Sequence, residues 1–114
     1  MTIQDVMSAV NAELLTPEAD LAREVHAACG SDMMSDVLAY VKDQAVLLTG
    51  LNNPQVVRTA DMMDMICIVF VRGKQPDEMI LQLAAQRGIA VMRTGMPMFT
   101  ACGLLYEKGL RGGK

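Results

Sequence analysis

One pattern occurs three times in the second half of this sequence. Each copy is an apolar stretch of strand length, a turn with one glycine, a proline and a stretch with helical periodicity. The copies occupy residues 45–64, 66–87 and 89–107. Strands that are apolar throughout are buried on both faces, so this repeat predicts an α/β fold: a small, mostly parallel sheet of βα units flanked by helices.

The turns of the three copies share their chemistry. Each turn glycine is followed within a few residues by a proline, which we expect in the first turn of the next helix, where its missing N–H costs nothing. The pairs are Gly50 with Pro54, Gly73 with Pro76, and Gly95 with Pro97. In the second helix, the spacing predicts that Met79, Ile80, Leu83 and Ala84 face inward.

The first 44 residues are less regular. Thr2 and Asp5 have the spacing of a capping arrangement and predict a short helix over residues 3–11. Brief strands are expected over residues 12–16 and 24–29.

A second helix signal in this part of the chain follows the glycine at position 30. Ser31 and Asp32 are typical N-cap residues, and we expect them to begin a helix. Its buried stripe is predicted to contain Met33, Met34, Val37, Leu38 and Val41.

The composition and charge of the chain argue against several classes of protein. The chain has 114 residues, of which 52% are hydrophobic, with a net charge of −3 and a pI near 5.0. One domain is expected, and the sequence lacks the basic stripe of a nucleic-acid binder and an apolar run long enough to span a membrane. No secretory signal is evident, and three widely spaced cysteines are typical of reduced thiols, so we expect a cytoplasmic protein.

The ends of the predicted strands supply the main candidate site. In open parallel sheets, ligands bind at the carboxyl ends of the strands, where these turns should cluster. The candidate ligand-binding residues are Thr49, Gly50, Asn52, Asn53, Arg72, Gly73, Lys74, Thr94 and Gly95. Arg72 and Lys74 suit an anion, and Asn52 and Asn53 suit a polar group. Purely structural turns are the alternative for this set. Ser31 and Asp32 form a second candidate, for which a helix N-cap without further function is the alternative.

Catalytic and metal-binding patterns are weak. His26 and Cys29 are expected to point to opposite faces of a strand, and Cys67 is expected to be buried. No paired metal-ligand spacing and no phosphate-loop motif occur, so no catalytic residue, metal or cofactor is predicted. Asp61 and Asp64 suggest a solvated helix face, and Asp77 with Glu78 complements a helix dipole.

Several short stretches resemble those of one known family. They are 2–6, 30–37, Gly50, 72–76 and 88–94, and together they are similar to the DRTGG domain family, which is related to the N-terminal domain of HPr kinase/phosphorylase. The resemblance implies a regulatory α/β domain, which we expect over residues 1–109. The final segment, 110–114, is itself expected to be a flexible tail. No literal DRTGG string occurs: Leu51-Asn52 and Arg72-Gly73-Lys74 stand near the corresponding places.

Three functions follow as hypotheses. The first is a non-enzymatic, homodimeric regulatory domain that senses a small anionic or nucleotide ligand. The second is a structural module that dimerises or docks through a methionine-rich face. That face is expected to contain Met62, Met63, Met65, Met96 and Met98. The third is a phosphotransfer enzyme related to HPr kinase.

Overall fold

A computed structural model describes residues 1–39 and 43–112 of the chain. Within them, five strands form one sheet: β1 (Glu13–Leu14), β2 (Ala27–Gly30), β3 (Ala45–Thr49), β4 (Met65–Phe70) and β5 (Ala90–Arg93). The helices are α1 (Ile3–Ala9), α2 (Met34–Leu38), α3 (Gln55–Met62), α4 (Glu78–Gln86) and α5 (Met98–Glu107). The predicted α/β class is confirmed.

The strand order is β1-β5-β4-β3-β2. The strands β2 to β5 are mutually parallel, and only β1 is antiparallel, with Glu13 opposite Arg93. From β2 to β5 every connection moves one strand in the same direction, and right-handed crossovers then place the connecting helices on one face. Accordingly α2, α3 and α4 cover one face of the sheet, and α1 and α5 cover the other.

The core lies on both sides of the central strands. Every residue of β3 and β4 is buried, as the apolar stretches predict. In β4, Ile68 and Phe70 pack toward α3 and α4, whereas Cys67 and Val69 pack toward α1 and α5. The expected burial of Cys67 is confirmed.

The prolines lie slightly earlier than predicted. Pro54 and Pro97 are the N-cap residues of α3 and α5, so they precede the first helical turn. Pro76 lies further out, because the Asp77 side chain accepts a hydrogen bond from the Ile80 N–H and takes the N-cap position of α4. A carboxylate at the N-terminus of a helix accepts a hydrogen bond from a backbone N–H and interacts favourably with the helix dipole.

The start of α2 differs from the sequence expectation. Ser31 and Asp32 do not cap this helix; Met33 is its N-cap residue and provides no side-chain hydrogen bond. Ser31 Oγ instead accepts from the Met33 N–H, and Asp32 is held at the edge of the sheet, as described below. Met34 and Val37 are buried as predicted.

Other positions of the predicted helical stripes are on the surface. Met33 and Leu38 of the α2 region are exposed, and so is Met79 of α4, because these short helices cover the sheet with one narrow face. Val41 lies outside the described residues. In α4, Ile80 and Ala84 are buried as predicted.

The termini pack against the domain. The Thr2 hydroxyl and the Asp5 carboxylate form the predicted capping box of α1. At the other end, Leu110 is buried and the Arg111 carbonyl accepts a hydrogen bond from the Ala28 N–H of β2, 2.9 Å away. Residues 110–112, which the sequence assigns to a tail, therefore contact the core, and 113–114 lie outside the described residues.

Candidate functional site

Three turns meet at the carboxyl edge of the sheet. The backbone N–H groups of Arg72 and Gly73 donate to the carbonyls of Met96 and Thr94, at 2.8 and 2.9 Å. Asn52 Nδ2 donates to the Gln75 carbonyl at 3.0 Å and joins the first turn to the second. The turns after β3, β4 and β5 are thus one connected edge.

Asp32 lies at the centre of the polar groups on this edge. Its Oδ1 accepts from the Gly50 N–H at 2.6 Å and from Thr49 Oγ1 at 3.3 Å. Its Oδ2 accepts from Arg72 Nη2 at 3.1 Å. We call these four residues the Asp32 cluster; they come from three segments far apart in sequence.

The cluster favours a negative charge at a solvent-accessible position. The Gly50 N–H, with smaller contributions from Arg72 and Thr49, holds the pKa of the Asp32 carboxyl below its ordinary value of 3.8. The side chains of Asp32 and Arg72 are still 44% and 42% exposed. The donors therefore bind an oxyanion where a solute has access to it.

The backbone around the cluster is adapted to bring these groups together. A Cβ at position 50 would overlap the Arg72 guanidinium, so this arrangement needs glycine there. Arg72 itself has a left-handed backbone, with φ 59°, and Gly73 follows with φ 69°. The turn closes with a hydrogen bond from the Lys74 N–H to the Val71 carbonyl, and a left-handed conformation is unfavourable for arginine.

Some of the remaining predicted site residues form hydrogen bonds that hold the fold together, and others are available to a ligand. Thr94 is buried, and its Oγ1 donates to the Val10 carbonyl at 2.7 Å. Asn53 Oδ1 accepts from the Gln55 N–H at the start of α3. Gly95 is exposed with open space around its Cα, and the Lys74 ammonium makes no hydrogen bond or ion pair with the described residues.

Exposed apolar side chains lie at the same edge, and sequence reasoning placed none of them in the site. Met33, Met79 and Phe99 are 61%, 65% and 88% exposed. Each lies at the start of a helix that follows a parallel strand, so the topology places all three toward the carboxyl edge, Met33 and Met79 on one face of the sheet and Phe99 on the other. The sequence signal for these residues is an apolar side chain at the start of a helix. A buried helix face also accounts for such a residue, so the signal does not identify a site.

The methionine-rich face predicted from the sequence is wrong. Met65 is buried within β4. Met63 packs on the face covered by α3, whereas Met96 and Met98 pack on the opposite face, covered by α5. The sheet separates these residues, so they do not form one surface.

A cleft of about 270 Å³ lies at the opposite edge, at the amino ends of β4 and β5. Its apolar lining includes Ile3, Ile66 and Ile89. Arg23 Nη1 donates across it to the Gly88 carbonyl at 3.1 Å. Most of its polar rim comes from the irregular first part of the chain, where no sequence pattern predicts a cleft.

The other titratable candidates lie apart from the Asp32 cluster. His26 Nδ1 lies 3.2 Å from Asp43 Oδ2 on the surface. Burial raises the pKa of Cys67 to about 12 and also raises that of the Cys102 thiol, with a further contribution from Cys29. Both thiols are therefore poor nucleophiles at neutral pH.

The two helix carboxylates expected on a solvated face differ from each other. Asp61 forms an ion pair with Arg87, with 2.6 Å between Oδ2 and Nη1. Asp64 lies beyond the end of α3 in a left-handed conformation, with φ 59°. Among residues 1–39 and 43–112, no acidic, histidine or cysteine group has a metal-binding arrangement, and no helix is long and apolar enough to cross a membrane.

Comparisons with known proteins place this fold in a family. No curated protein sequence matches the chain. Among solved structures, it is similar to the CBS and DRTGG domains of the regulatory region of a Clostridium perfringens pyrophosphatase, complexed with its activator diadenosine tetraphosphate. The TM-score is 0.74 and the identity 17%; the match covers 91% of this chain and 45% of the pyrophosphatase chain. Residues 5–107 match the DRTGG domain family, and the chain belongs to that family.

Proposed function

We propose that this chain is a non-enzymatic regulatory domain that senses a small anionic ligand at the carboxyl edge of its sheet. The observation that carries the proposal is the Asp32 cluster. There a backbone N–H, a hydroxyl and a guanidinium converge on one oxyanion that is accessible to solvent. Donors of these kinds also bind phosphate groups.

A nucleotide is the favoured class of ligand. Lys74 supplies a second positive charge two residues after Arg72, and the exposed Met33 and Met79, at the starts of two helices on one face of the sheet, supply apolar surface for a base. The similar pyrophosphatase region is complexed with a nucleotide activator, which agrees with this class.

The non-enzymatic part of the proposal rests on the side chains available. The thiols of Cys67 and Cys102 have raised pKa values, and His26 lies with Asp43 away from the cluster. The sequence also has no phosphate-loop motif for the phosphotransfer alternative. We place the domain in the cytoplasm on its cysteine usage.

A thermal-shift panel tests the proposal. Adenine nucleotides, diadenosine tetraphosphate, phosphate esters and sugar phosphates are each added at millimolar concentration. A ligand at about ten times its Kd should raise the melting temperature by roughly 5 °C, because it binds only the folded state. Arg72→Gln should remove the shift. No shift with any compound would contradict the proposal.

We also propose that the chain forms a homodimer. The exposed Met62 side chain at the end of α3 is the apolar contact that we propose for it. Sedimentation velocity across a wide concentration range should show a dimer without added ligand. A monomer at the highest concentration would rule the dimer out and would leave the ligand proposal unaffected.

A further inference from the structure

We infer that Asp32 is an internal competitor for the ligand of the Asp32 cluster. A phosphate or diphosphate group takes the place of the Asp32 carboxylate on the Gly50 N–H, the Thr49 hydroxyl and the Arg72 guanidinium. The inference rests on the proposed function and specifies which part of the ligand binds and which protein group it displaces.

The donors match a phosphate group better than they match a carboxylate. Both oxygens of Asp32 are already used, and only one Arg72 nitrogen bonds to them. A guanidinium has several N–H donors in a planar fork, which suits bidentate contact with phosphate. A phosphate also carries more charge and more acceptor oxygens than Asp32 does, so it gains more from the same donors.

Asp32 is attached in a way that permits its release. It lies between the end of β2 and the five-residue helix α2, whose N-terminus has no side-chain cap. Its side chain is 44% exposed, so the released carboxylate would be hydrated at once. An ion pair this exposed is weak, so the contact of a phosphate with Arg72 can exceed it.

Two of the three donors, in contrast, are fixed without Asp32. The Gly50 N–H follows directly from the buried strand β3, and Thr49 is fully buried within that strand. The Arg72 backbone is held by the hydrogen bond from its N–H to the Met96 carbonyl, and its guanidinium lies over Gly50, which has no Cβ. Removal of the carboxylate therefore leaves the Gly50 N–H and the Thr49 hydroxyl in place beside the flexible Arg72 side chain.

The test compares Asp32→Ala with the wild-type chain, using inorganic pyrophosphate as the probe. Isothermal titration calorimetry at low ionic strength should give a Kd at least about tenfold lower for Asp32→Ala, because the competing charge is gone. The matched control is Asp61→Ala, which breaks the surface ion pair with Arg87 and should leave the Kd unchanged. Adding Arg72→Gln to Asp32→Ala should abolish the gain.

The outcomes separate this inference from the proposed function. If wild-type chain binds nucleotides but Asp32→Ala binds pyrophosphate no more tightly, the competitor role is overturned and the sensing function stands. If no variant binds pyrophosphate or any nucleotide, both are overturned. If Asp61→Ala gains as much as Asp32→Ala, a general charge effect replaces the competitor role.

A measurement on the wild-type chain covers the case in which Asp32→Ala does not fold. Carbon-detected NMR follows the Asp32 carboxyl through an acid titration with and without saturating pyrophosphate. Displacement from the Gly50 N–H should return its pKa to near the ordinary value of 3.8. A pKa that stays low in the presence of bound pyrophosphate would overturn the inference.

Discussion

Gly50 lies beneath the Arg72 guanidinium, and this contact is possible only because residue 50 has no Cβ. The glycine is usually explained by its turn, yet its φ is not in the left-handed region. Its role is close approach: it lets Arg72 reach across to Asp32.

We therefore expect Gly50→Ala to move Arg72 away from Asp32 without disturbing the strand. The guanidinium is the end of a flexible side chain, so the cost is that of the lost ion pair, about 0.5–1 kcal/mol in the free energy of unfolding. Urea denaturation measures this loss. A variant with unchanged stability whose Arg72 still contacts Asp32 would contradict the close-approach role.

The depressed pKa of Asp32 predicts a pH dependence. The folded-state pKa lies below the unfolded value of 3.8, so the ionised carboxylate stabilises the fold well above pH 3.8. This contribution is lost as the pH falls through 3.8 and then through the lower folded-state pKa.

Urea denaturation of the wild-type chain and Asp32→Asn, each from about pH 7 to about pH 2.5, checks this dependence. The wild-type chain should be the more stable by at most about 1 kcal/mol at neutral pH, and the difference should shrink toward zero in acid. Asn keeps an acceptor for the Gly50 N–H, so the comparison isolates the charge. A difference independent of pH would refute the prediction.

The sequence predicted which residues lie at the carboxyl edge better than it predicted their partners. Gly50 and Arg72 followed from the βα repeat, because equivalent turns must share one edge of a parallel sheet. Asp32 was assigned to a helix N-cap, since Ser-Asp before an apolar stripe is typical of one. The competing hydrogen bond from the Gly50 N–H depends on the pairing of β2 with β3, which no local pattern reveals.

Among the helices and strands, those of the βα repeat were predicted more accurately than those before it. The strands β3, β4 and β5 are continuous apolar runs, and each begins within one residue of the start of its predicted copy. The strand β1 and the helix α2 were also expected, but they have only two and five residues, too few for a period to define their ends. Helix α3 ends at Met62 because Asp64 beyond it adopts a left-handed conformation.

Helix α5 contains a glycine without a structural need for it. Gly103 lies inside the helix, is exposed, and has open space where a Cβ would be. Gly103→Ala should stabilise the domain by about 0.5–1 kcal/mol, because alanine loses less backbone entropy in a helix.

Thermal and urea denaturation measure that gain for Gly103→Ala. The same substitution at Gly88, where φ is +71°, serves as the comparison and should be destabilising. A loss of stability at Gly103 would show that this surface has a contact partner.

In the molecule as a whole, the strand order and the side of each connection determine where a crevice can form at the carboxyl edge of the sheet. The connection after β4 leads to one face of the sheet, and the connection after β5 leads to the other. Such a divergence normally leaves a crevice between neighbouring strands. Here the hydrogen bonds from Arg72 and Gly73 to the third turn close it, and the Asp32 cluster lies one strand further along, where the Gly50 N–H donates to Asp32.

The C-terminal residues pack against the rest of the domain. Leu110 is buried against the core, although the sequence places it in a tail because glycines surround it. Leu110→Ala should therefore lower the free energy of unfolding by about 1–3 kcal/mol through lost apolar burial. Glu107→Ala, an exposed change in the preceding helix, is the control and should be nearly neutral.

The hydrogen bond between Ala28 and Arg111 has a consequence for neighbouring molecules. Strand β2 is the outer parallel strand of the sheet, and open backbone groups on such a strand can template pairing with another chain. The Arg111 carbonyl of the C-terminal segment accepts a hydrogen bond from one of these groups, the Ala28 N–H. At the opposite margin of the sheet, β1 is only two residues long. Both margins of the sheet are thus poor templates for intermolecular β-pairing, and a chain shortened before Leu110 would lose this protection against aggregation.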